Sequence, residues 1–403
     1  MISPKIIWEA TKTKMGGVKM KVVKVLLSVL VILALFAGTA LAGQTIKIGV
    51  LAPLTGFAAA DGESVLNSVN IAVDKINASG GVLGKKVELV VYDDRADAKE
   101  AVSLAHKLIG QDRVVAVVGG SYSMPTRAVA TFFQEAEIPF VSAYAVHPDI
   151  TKAGDFCFRN GFLAEVEGKA AAKVATDMLG AKRIAVLYSD IDFGRTLSKG
   201  FKEYIDTKTT GVEIVYSKAY PFKEKDYKPY LSEIKELNPD LIMVNGYYFQ
   251  TGPILKQARE MGIESIILGE EGADSPKLVE LAGPSAAEGF MIVTNLNRDD
   301  ERPVVQEFIK EYEGRYGIAP DMVGASAYDA LTIIVDAIQR AGSTDGEAIK
   351  DAIASTKDFD GLTGVIKGFN EIGEVVKPVQ VQIIKFGKYR YFGVVDDPDI
   401  INP

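Results

Sequence analysis

The sequence predicts an α/β protein of two lobes, each a parallel sheet flanked by helices. Three observations predict it. Short β-rich runs alternate with stretches apolar at helical spacing, which is the pattern of parallel strands joined by right-handed crossovers. The alternation breaks and restarts near Gly161 to Glu165. The chain has 403 residues, and single hydrophobic cores stop growing at roughly 250–300 residues.

Each element follows from its pattern. Ile46 to Ala52 reads as a strand, and Glu63 to Asn77 as a helix with Val65, Val69, Ala72, Val73 and Ile76 on one face. Asn77-Ala78-Ser79-Gly80-Gly81 ends it. Strand Val87 to Tyr92, helix Ala98 to Ile109, strand Val114 to Val118, helix Pro125 to Glu137 and strand Pro139 to Ser142 complete the first series. The second series begins with helix Glu165 to Leu179, strand Ile184 to Tyr188, helix Thr196 to Thr207 and strand Glu213 to Tyr216. Helix Tyr227 to Leu237, strand Leu241 to Asn245, helix Gly252 to Met261 and strand Ser265 to Leu268 continue it. A third stretch holds strand Gly289 to Val293 and helices Pro303 to Arg315, Ala325 to Ala341 and Gly346 to Thr356. Phe359 to Phe369 and Val379 to Phe392 read as β-hairpin material, the second turning at Phe386-Gly387-Lys388-Tyr389.

The N-terminus reads as an export signal. Lys19, Lys21 and Lys24 precede an apolar run from Val25 to Ala37, and Ala40-Leu41-Ala42 supplies small residues at a cleavage site. The run is shorter than the about 20 residues a bilayer-spanning helix needs. Residues 1–42 are therefore expected to be a signal peptide with an upstream extension, Met15 or Met20 being the expected start rather than Met1, and the mature chain to begin at Gly43. No cysteine follows the cut, so no lipid anchor is expected and the predicted location is periplasmic.

Composition excludes several classes. The net charge is −8, and the first 42 residues hold six Lys and one Glu, which leaves the remainder at −13. Such acidity argues against a nucleic-acid partner. The single cysteine, Cys157, permits no internal disulfide, and with only His106 and His147 no C-x-x-C, H-E-x-x-H or Cys/His cluster occurs, so no transition-metal site is expected. His106 lies in a helical pattern and reads as structural, while His147 sits at a loop edge. Gly80 to Lys86 falls one residue short of a phosphate loop and joins a helix to a strand, the wrong order for one. G-x-G-x-x-G and G-x-S-x-G are absent, so neither a dinucleotide cofactor nor a hydrolase nucleophile is indicated; the chain is read as a non-enzyme without cofactor or metal.

In open α/β sheets ligands bind at the carboxyl ends of strands. The loops there are Pro53 to Gly56, Gly119 to Ser123, Ala143 to Val146, Ser189 to Gly194, Gly246 to Tyr248 and Gly269 to Gly272. They combine hydroxyls, aromatics and carboxylates with glycines that admit close backbone approach. Ser123 opens a helix, where it can serve as an N-cap, as part of an anion site made with the free amides, or as both. Glu270-Glu271 follows an apolar strand and reads equally as surface charge or as a partner for an ammonium group.

The segments IKIGVLAPLTGFAAADGES, GGVLGKKVELVVYDDRADAKEAV, GGSYSMPTRA, IPFVSAYAVHPDIT, DFGRTLSKGF, NGYYFQTGPILKQAR and LGEEGADSPKLVELAG, in this order and spacing, resemble the branched-chain amino-acid binding proteins of ABC transporters. The resemblance implies a type I periplasmic binding fold: two Rossmann-like lobes joined by three hinge crossings, closing on a small amino acid delivered to a membrane permease. It places one lobe at 44–163 plus 295–374 and the other at 164–294 plus 375–403. It implies that Ser123, beside Tyr122, and the segment holding Ala143, Tyr144 and Val146 bind the ligand carboxylate. Glu271, beside Gly272, would hold the ammonium, and Phe193 and Tyr247 would form the other lobe's wall. The sequence departs from the family at Val146, where a hydroxyl is usual, at Asp61, where an aromatic is usual, and at Tyr144, where a small residue is usual. Leucine is therefore not carried over as ligand. A neutral apolar or aromatic amino acid is expected, because no basic residue is evident to receive a second carboxylate; an aromatic or aliphatic carboxylate, or a sensing module of the same fold, is the alternative. A monomer is expected.

Overall fold

The computed structural model describes residues 45–120 and 122–403. The expected export signal and Ser121 lie outside the described residues.

The first sheet has five strands, β1 (Ile46–Ala52), β2 (Val87–Asp93), β3 (Ala116–Gly119), β4 (Phe140–Ser142) and β5 (Cys157–Arg159), in the order β2-β1-β3-β4-β5. Every pair is parallel. Six of the seven residues of β1 are buried, as a central strand covered on both faces requires. Helix α1 (Ala59–Ala78) lies on one face, and α2 (Ala98–Lys107) with α3 (Ser123–Glu135) on the other.

The chain then leaves for a seven-stranded sheet. Its strands are β6 (Arg183–Ser189), β7 (Glu213–Tyr220), β8 (Leu241–Asn245), β9 (Ile266–Gly269) and β10 (Met291–Thr294), joined by α4 (Ala164–Lys173), α5 (Asp192–Lys208), α6 (Lys228–Leu237) and α7 (Tyr248–Glu260). After β10 the chain returns to the first sheet. Helices α8 (Pro303–Tyr316), α9 (Met322–Ala341) and α10 (Gly346–Ala354) bury their apolar faces in the same core as β1 and α1. A small antiparallel sheet, β11 (Lys357–Gly361), β12 (Gly364–Phe369) and β13 (Val375–Val376), leads to the third crossing. The hairpin β14 (Val379–Lys385) and β15 (Lys388–Val395) then completes the second sheet in the order β15-β14-β10-β9-β8-β6-β7, pairing antiparallel with β10. The chain thus crosses three times between two α/β units, which is the type I periplasmic binding architecture.

Two differences from the sequence reading have physical causes. Helices α1, α5 and α7 begin at Ala59, Asp192 and Tyr248, four residues before the positions where their apolar periodicity sets in. Their first turns carry polar or small residues, Asp61 and Gly62 in α1, Asp192 and Gly194 in α5 and Gln250 and Thr251 in α7, so they do not continue the apolar stripe. The strand Cys157–Arg159 was not anticipated, because three residues carry no readable alternation. The Cys157 thiol is fully buried and donates to the Ala130 carbonyl at 3.4 Å, and burial pushes its pKa up to about 12.

Candidate functional site

The carboxyl ends of the parallel strands of both sheets meet at one gap. Between them lies a cavity of ≈ 350 Å³. Phe57, Ala96 and the Tyr122–Pro125 turn line it from the first unit, and Asp190–Phe193, Phe222 and Tyr247 from the second. Ala96 and its neighbour Arg95 take the left-handed conformation, at φ 53° and 54°. The Asp94 carboxylate accepts from the Ala96 N–H at 2.9 Å and Asp93 from the Arg95 N–H at 3.0 Å, which offsets that strain.

Ser123 is the first residue of α3, not its cap. Tyr122 occupies the N-cap position and makes no side-chain capping bond. Among the described residues the buried Ser123 hydroxyl has no partner, and it stands at a helix end whose first amides have no intrahelical acceptor. The adjoining segment comes from β4. Ala143 N–H donates to the Gly119 carbonyl at 2.7 Å, and the Val146 carbonyl accepts from Ala164 N–H at 3.1 Å, across the first crossing. Val146 is fully buried in an apolar cluster with Tyr122, Phe193 and Tyr247, while Tyr144 packs into the core of the first unit.

The wall of the second unit is a ring stack. Phe193 and Tyr247 lie 4.5 Å apart at 13°, and Tyr122 from the first unit leans on Tyr247 at 4.7 Å. Phe57 closes the mouth with its edge on Tyr122 at 5.5 Å, Phe222 at 5.3 Å and Phe249 at 5.8 Å. Gly272 is where this wall needs a glycine, since a Cβ there would lie 2.8 Å from the Phe193 ring. Gln250 sets the wall's position. Its amide oxygen accepts from Tyr247 N–H, and its nitrogen donates to Ser189 Oγ and the Phe222 carbonyl.

Behind the wall are three buried glutamates. Glu270 accepts from Gly246 N–H at 2.9 Å and Gly272 N–H at 2.6 Å, so both oxygens are used. Glu271 accepts from Asn295 Nδ2 at 3.4 Å through Oε2, and its buried Oε1 has no partner among the described residues. Glu167, on α4, accepts from Glu271 N–H at 2.7 Å through Oε1, and its buried Oε2 likewise has no partner among the described residues. Burial, and then the neighbouring Glu167 charge, hold Glu270 and Glu271 well above the usual carboxylate range; burial pushes Glu167 up to about 8 against its hydrogen bond from Glu271 N–H.

Asp61 sits in the first turn of α1 and accepts from Tyr122 OH at 2.7 Å. Burial raises its pKa to about 7, with the Asp321 charge adding and the Tyr122 bond opposing. The expectation that no basic residue stands near the ligand side chain is corrected: Arg127 and Arg195 both line the cavity. Each is engaged by an acid, Arg127 with Asp192 across the gap at 3.2 Å and Arg195 with Asp190 at 2.7 Å. They escaped notice because both lie on helix surfaces, where a charge reads as solvated. His147 stands 3.2 Å from Arg127 Nη1, and burial followed by that charge lowers its pKa. His106 packs on Phe132 in α3, away from the gap.

The structure brings Tyr122, Ser123, Val146, Phe193, Tyr247 and Gly272 around one gap, with Glu271 and Asp61 buried beside it. Phe57, Phe222, Gln250 and Glu167 were not anticipated. Glu167 alone carried a signal, a carboxylate on the otherwise apolar face of the Ala164–Lys173 helix.

The family described as periplasmic binding protein matches residues 45–388. The leucine-, isoleucine-, valine-, threonine- and alanine-binding protein of Pseudomonas aeruginosa is 28% identical over 341 residues, 84% of this chain and 90% of its own. The crystal structure of a leucine-binding protein, LivK, from Thermotoga maritima superposes with TM-score 0.80 at 33% identity, over 88% of this chain and 100% of that one. The substrate-binding protein LivJ of a Streptococcus pneumoniae branched-chain amino-acid transporter, in complex with isoleucine, gives TM-score 0.81 at 30% identity, over 87% and 99%.

Proposed function

This chain belongs to the periplasmic binding protein family, and from that membership we propose that it is the extracytoplasmic receptor of an ABC importer for a neutral amino acid with an apolar or aromatic side chain. One observation carries the reading. Two buried polar groups of opposite use, neither with a partner among the described residues, lie on the two sides of the gap: the Ser123 hydroxyl, at a helix N-terminus lining the aromatic cavity in the first unit, and Glu271 Oε1, behind the Phe193–Tyr247 wall in the second. A zwitterion satisfies both, its carboxylate at the helix end and its ammonium at Glu271. Its side chain lies against Phe193, Tyr247 and Phe57. The rings suit an apolar group, and the arginines at the rim are already engaged by acids.

The lobes of this receptor are 44–163 plus 295–374 and 164–294 plus 375–403, hinged where the chain crosses between sheets. It binds and releases its solute unchanged, and no catalytic group is assigned. It is exported by removal of residues 1–42, acts as a monomer in the periplasm, and delivers its solute to a membrane permease. Calorimetry with the twenty L-amino acids and their des-amino carboxylates tests the reading. Binding of apolar amino acids supports it, and Glu271→Gln should weaken that binding at least about tenfold, since truncating a buried charged pair costs ~2–5 kcal/mol. If only the des-amino carboxylates bind, the protein is a carboxylate receptor instead.

A further inference from the structure

Resting on that reading, we propose that Glu167 and Glu271 together seat the ligand's ammonium group, and that a proton they hold in the unliganded protein leaves to solvent as the ammonium enters.

The geometry begins with α4. Its buried face is Ala164, Val166, Gly168, Ala170, Ala171 and Ala172, and Glu167 lies fully buried among them. A carboxylate on such a face is costly unless it has a partner. Glu167 spends one oxygen on the Glu271 N–H at 2.7 Å, which holds its carboxylate against the Glu271 backbone, and its charge acts directly on the Glu271 carboxylate. The remaining oxygen of each, Glu167 Oε2 and Glu271 Oε1, is buried and unpartnered. An ammonium has three N–H donors and one positive charge, so it can serve both oxygens and leave one donor over. A neutral donor can bond to one of these oxygens but does not compensate the pair's charge.

The other charged and titratable groups around the pair do not supply that cation. Glu270 adds a third carboxylate, already satisfied by two backbone amides. Arg159 lies near Glu271 but is bound to Glu374 at 2.8 Å and to the carbonyls of Ala145 and His147. Lys377 is also near, but donates to Thr363 Oγ1 at 2.7 Å and faces Asp329. Tyr247 and Tyr220 approach the glutamates as neutral phenols, their ionisation suppressed by burial.

Two adjacent buried carboxylates cannot both ionise at low cost, so such a pair retains a proton and titrates as a unit. The direction of every shift in the cluster agrees: all three glutamates are held above their ordinary range. Bringing in a positive charge makes the doubly ionised pair favourable, and the retained proton becomes the group in excess. Glu167 therefore acts in ligand choice as well as in holding the Glu271 backbone. A seat of two carboxylates favours a primary ammonium and rejects a des-amino analogue of the same shape.

The test is titration calorimetry of the full-length mature protein at pH 7 in two buffers of different ionisation enthalpy, with L-leucine, L-isoleucine or L-phenylalanine, whichever binds. About one proton should be released per ligand, and Kd should fall by up to about tenfold per pH unit between pH 6 and 7.5. In Glu167→Gln the amide oxygen can still accept from Glu271 N–H. Binding should weaken about tenfold, and both the proton release and the pH slope should shrink. An amino acid that binds wild type without proton release and with a flat pH profile overturns this inference and leaves the receptor reading standing. So does a Glu167→Gln protein with unchanged affinity and slope. Should Glu167→Gln fail to fold, the wild-type proton count decides. If none of the twenty L-amino acids binds, the receptor reading and this inference fall together.

Discussion

At Ser123 a helix-capping role and a ligand-binding role make opposite predictions, and the structure separates them. Because Tyr122 holds the N-cap position and the Ser123 hydroxyl has no partner, Ser123→Ala removes no bond that supports α3. Its melting temperature without ligand should match wild type, whereas loss of a true cap costs ~0.5–2 kcal/mol. Amino-acid affinity should fall about tenfold or more, as befits a hydrogen bond to a charged group. Equal loss of stability with and without ligand would return Ser123 to a structural role. Asp61 poses a similar question. It accepts from Tyr122 OH at 2.7 Å, and its pKa of about 7 makes that bond sensitive near neutrality. Tyr122→Phe deletes the donor but keeps the ring on Tyr247. It should raise the Asp61 pKa further, because the deleted bond is the one influence lowering it. Carboxyl resonances followed by NMR between pH 5 and 9 would report the shift, and an unmoved titration would show that the bond does not form in solution.

Single residues act through the loops and first turns that hold them, and that scale decides how much could be read in advance. The strand-helix order, the restart after residue 160 and the terminal hairpin were legible because each rests on periodicity sustained over several residues. The candidate loops were legible as well, since the sequence alone places them at strand ends. The site's edges were not. Phe57 and Phe222 lie in short connections without periodicity, and the first turns of α1, α5 and α7 carry polar or small residues that break the apolar stripe. Glu167 was hidden for another reason: one charge on an apolar helix face becomes informative only when its partner, the Glu271 amide 104 residues away, is known. Phe57 yields a prediction at this scale. It is 47% exposed, yet it joins the β1–α1 loop to Tyr122, Phe222 and Phe249 through ring edges. Aromatic pairs contribute about 0.5–1.5 kcal/mol when well packed, and less at this exposure. Phe57→Ala should therefore speed ligand release several-fold in stopped-flow measurements while association changes little. A slowed association with unchanged release would mean that the ring guides entry and does not hold the mouth shut.

Over the whole molecule the buried glutamates link stability to pH. Glu167, Glu270 and Glu271 all have folded pKa values above their ordinary 4.5, Glu167 at about 8. The folded protein therefore binds more protons than the unfolded chain between these values, and stability falls as pH rises through that window. The melting temperature of the unliganded protein should decline from pH 5 to pH 8, and saturating amino acid should flatten the decline by supplying the missing positive charge. The same economy bears on closure. Across the gap the two units touch through the buried cluster of Val146 and Tyr122 with Phe193 and Tyr247, through Phe57 on Phe222 and Phe249, and through the half-exposed Arg127–Asp192 pair at 3.2 Å. An exposed ion pair contributes about 0–1 kcal/mol, and each aromatic pair about 0.5–1.5 kcal/mol. Against this, closure without ligand seals Glu271 and Ser123 away from water with polar atoms unpaired, at ~1–3 kcal/mol for each group. These opposing terms are close in size, so the unliganded protein should populate open and closed forms together. A zwitterion that pairs both orphaned groups binds the closed form selectively and draws the population to it. Small-angle scattering should show a smaller radius of gyration with saturating L-leucine or another bound amino acid than without, and 1 M salt should enlarge the unliganded radius by screening Arg127–Asp192. A radius unchanged by a ligand shown to bind would rule out hinge closure and leave a rigid cleft that admits its solute through the Phe57 mouth.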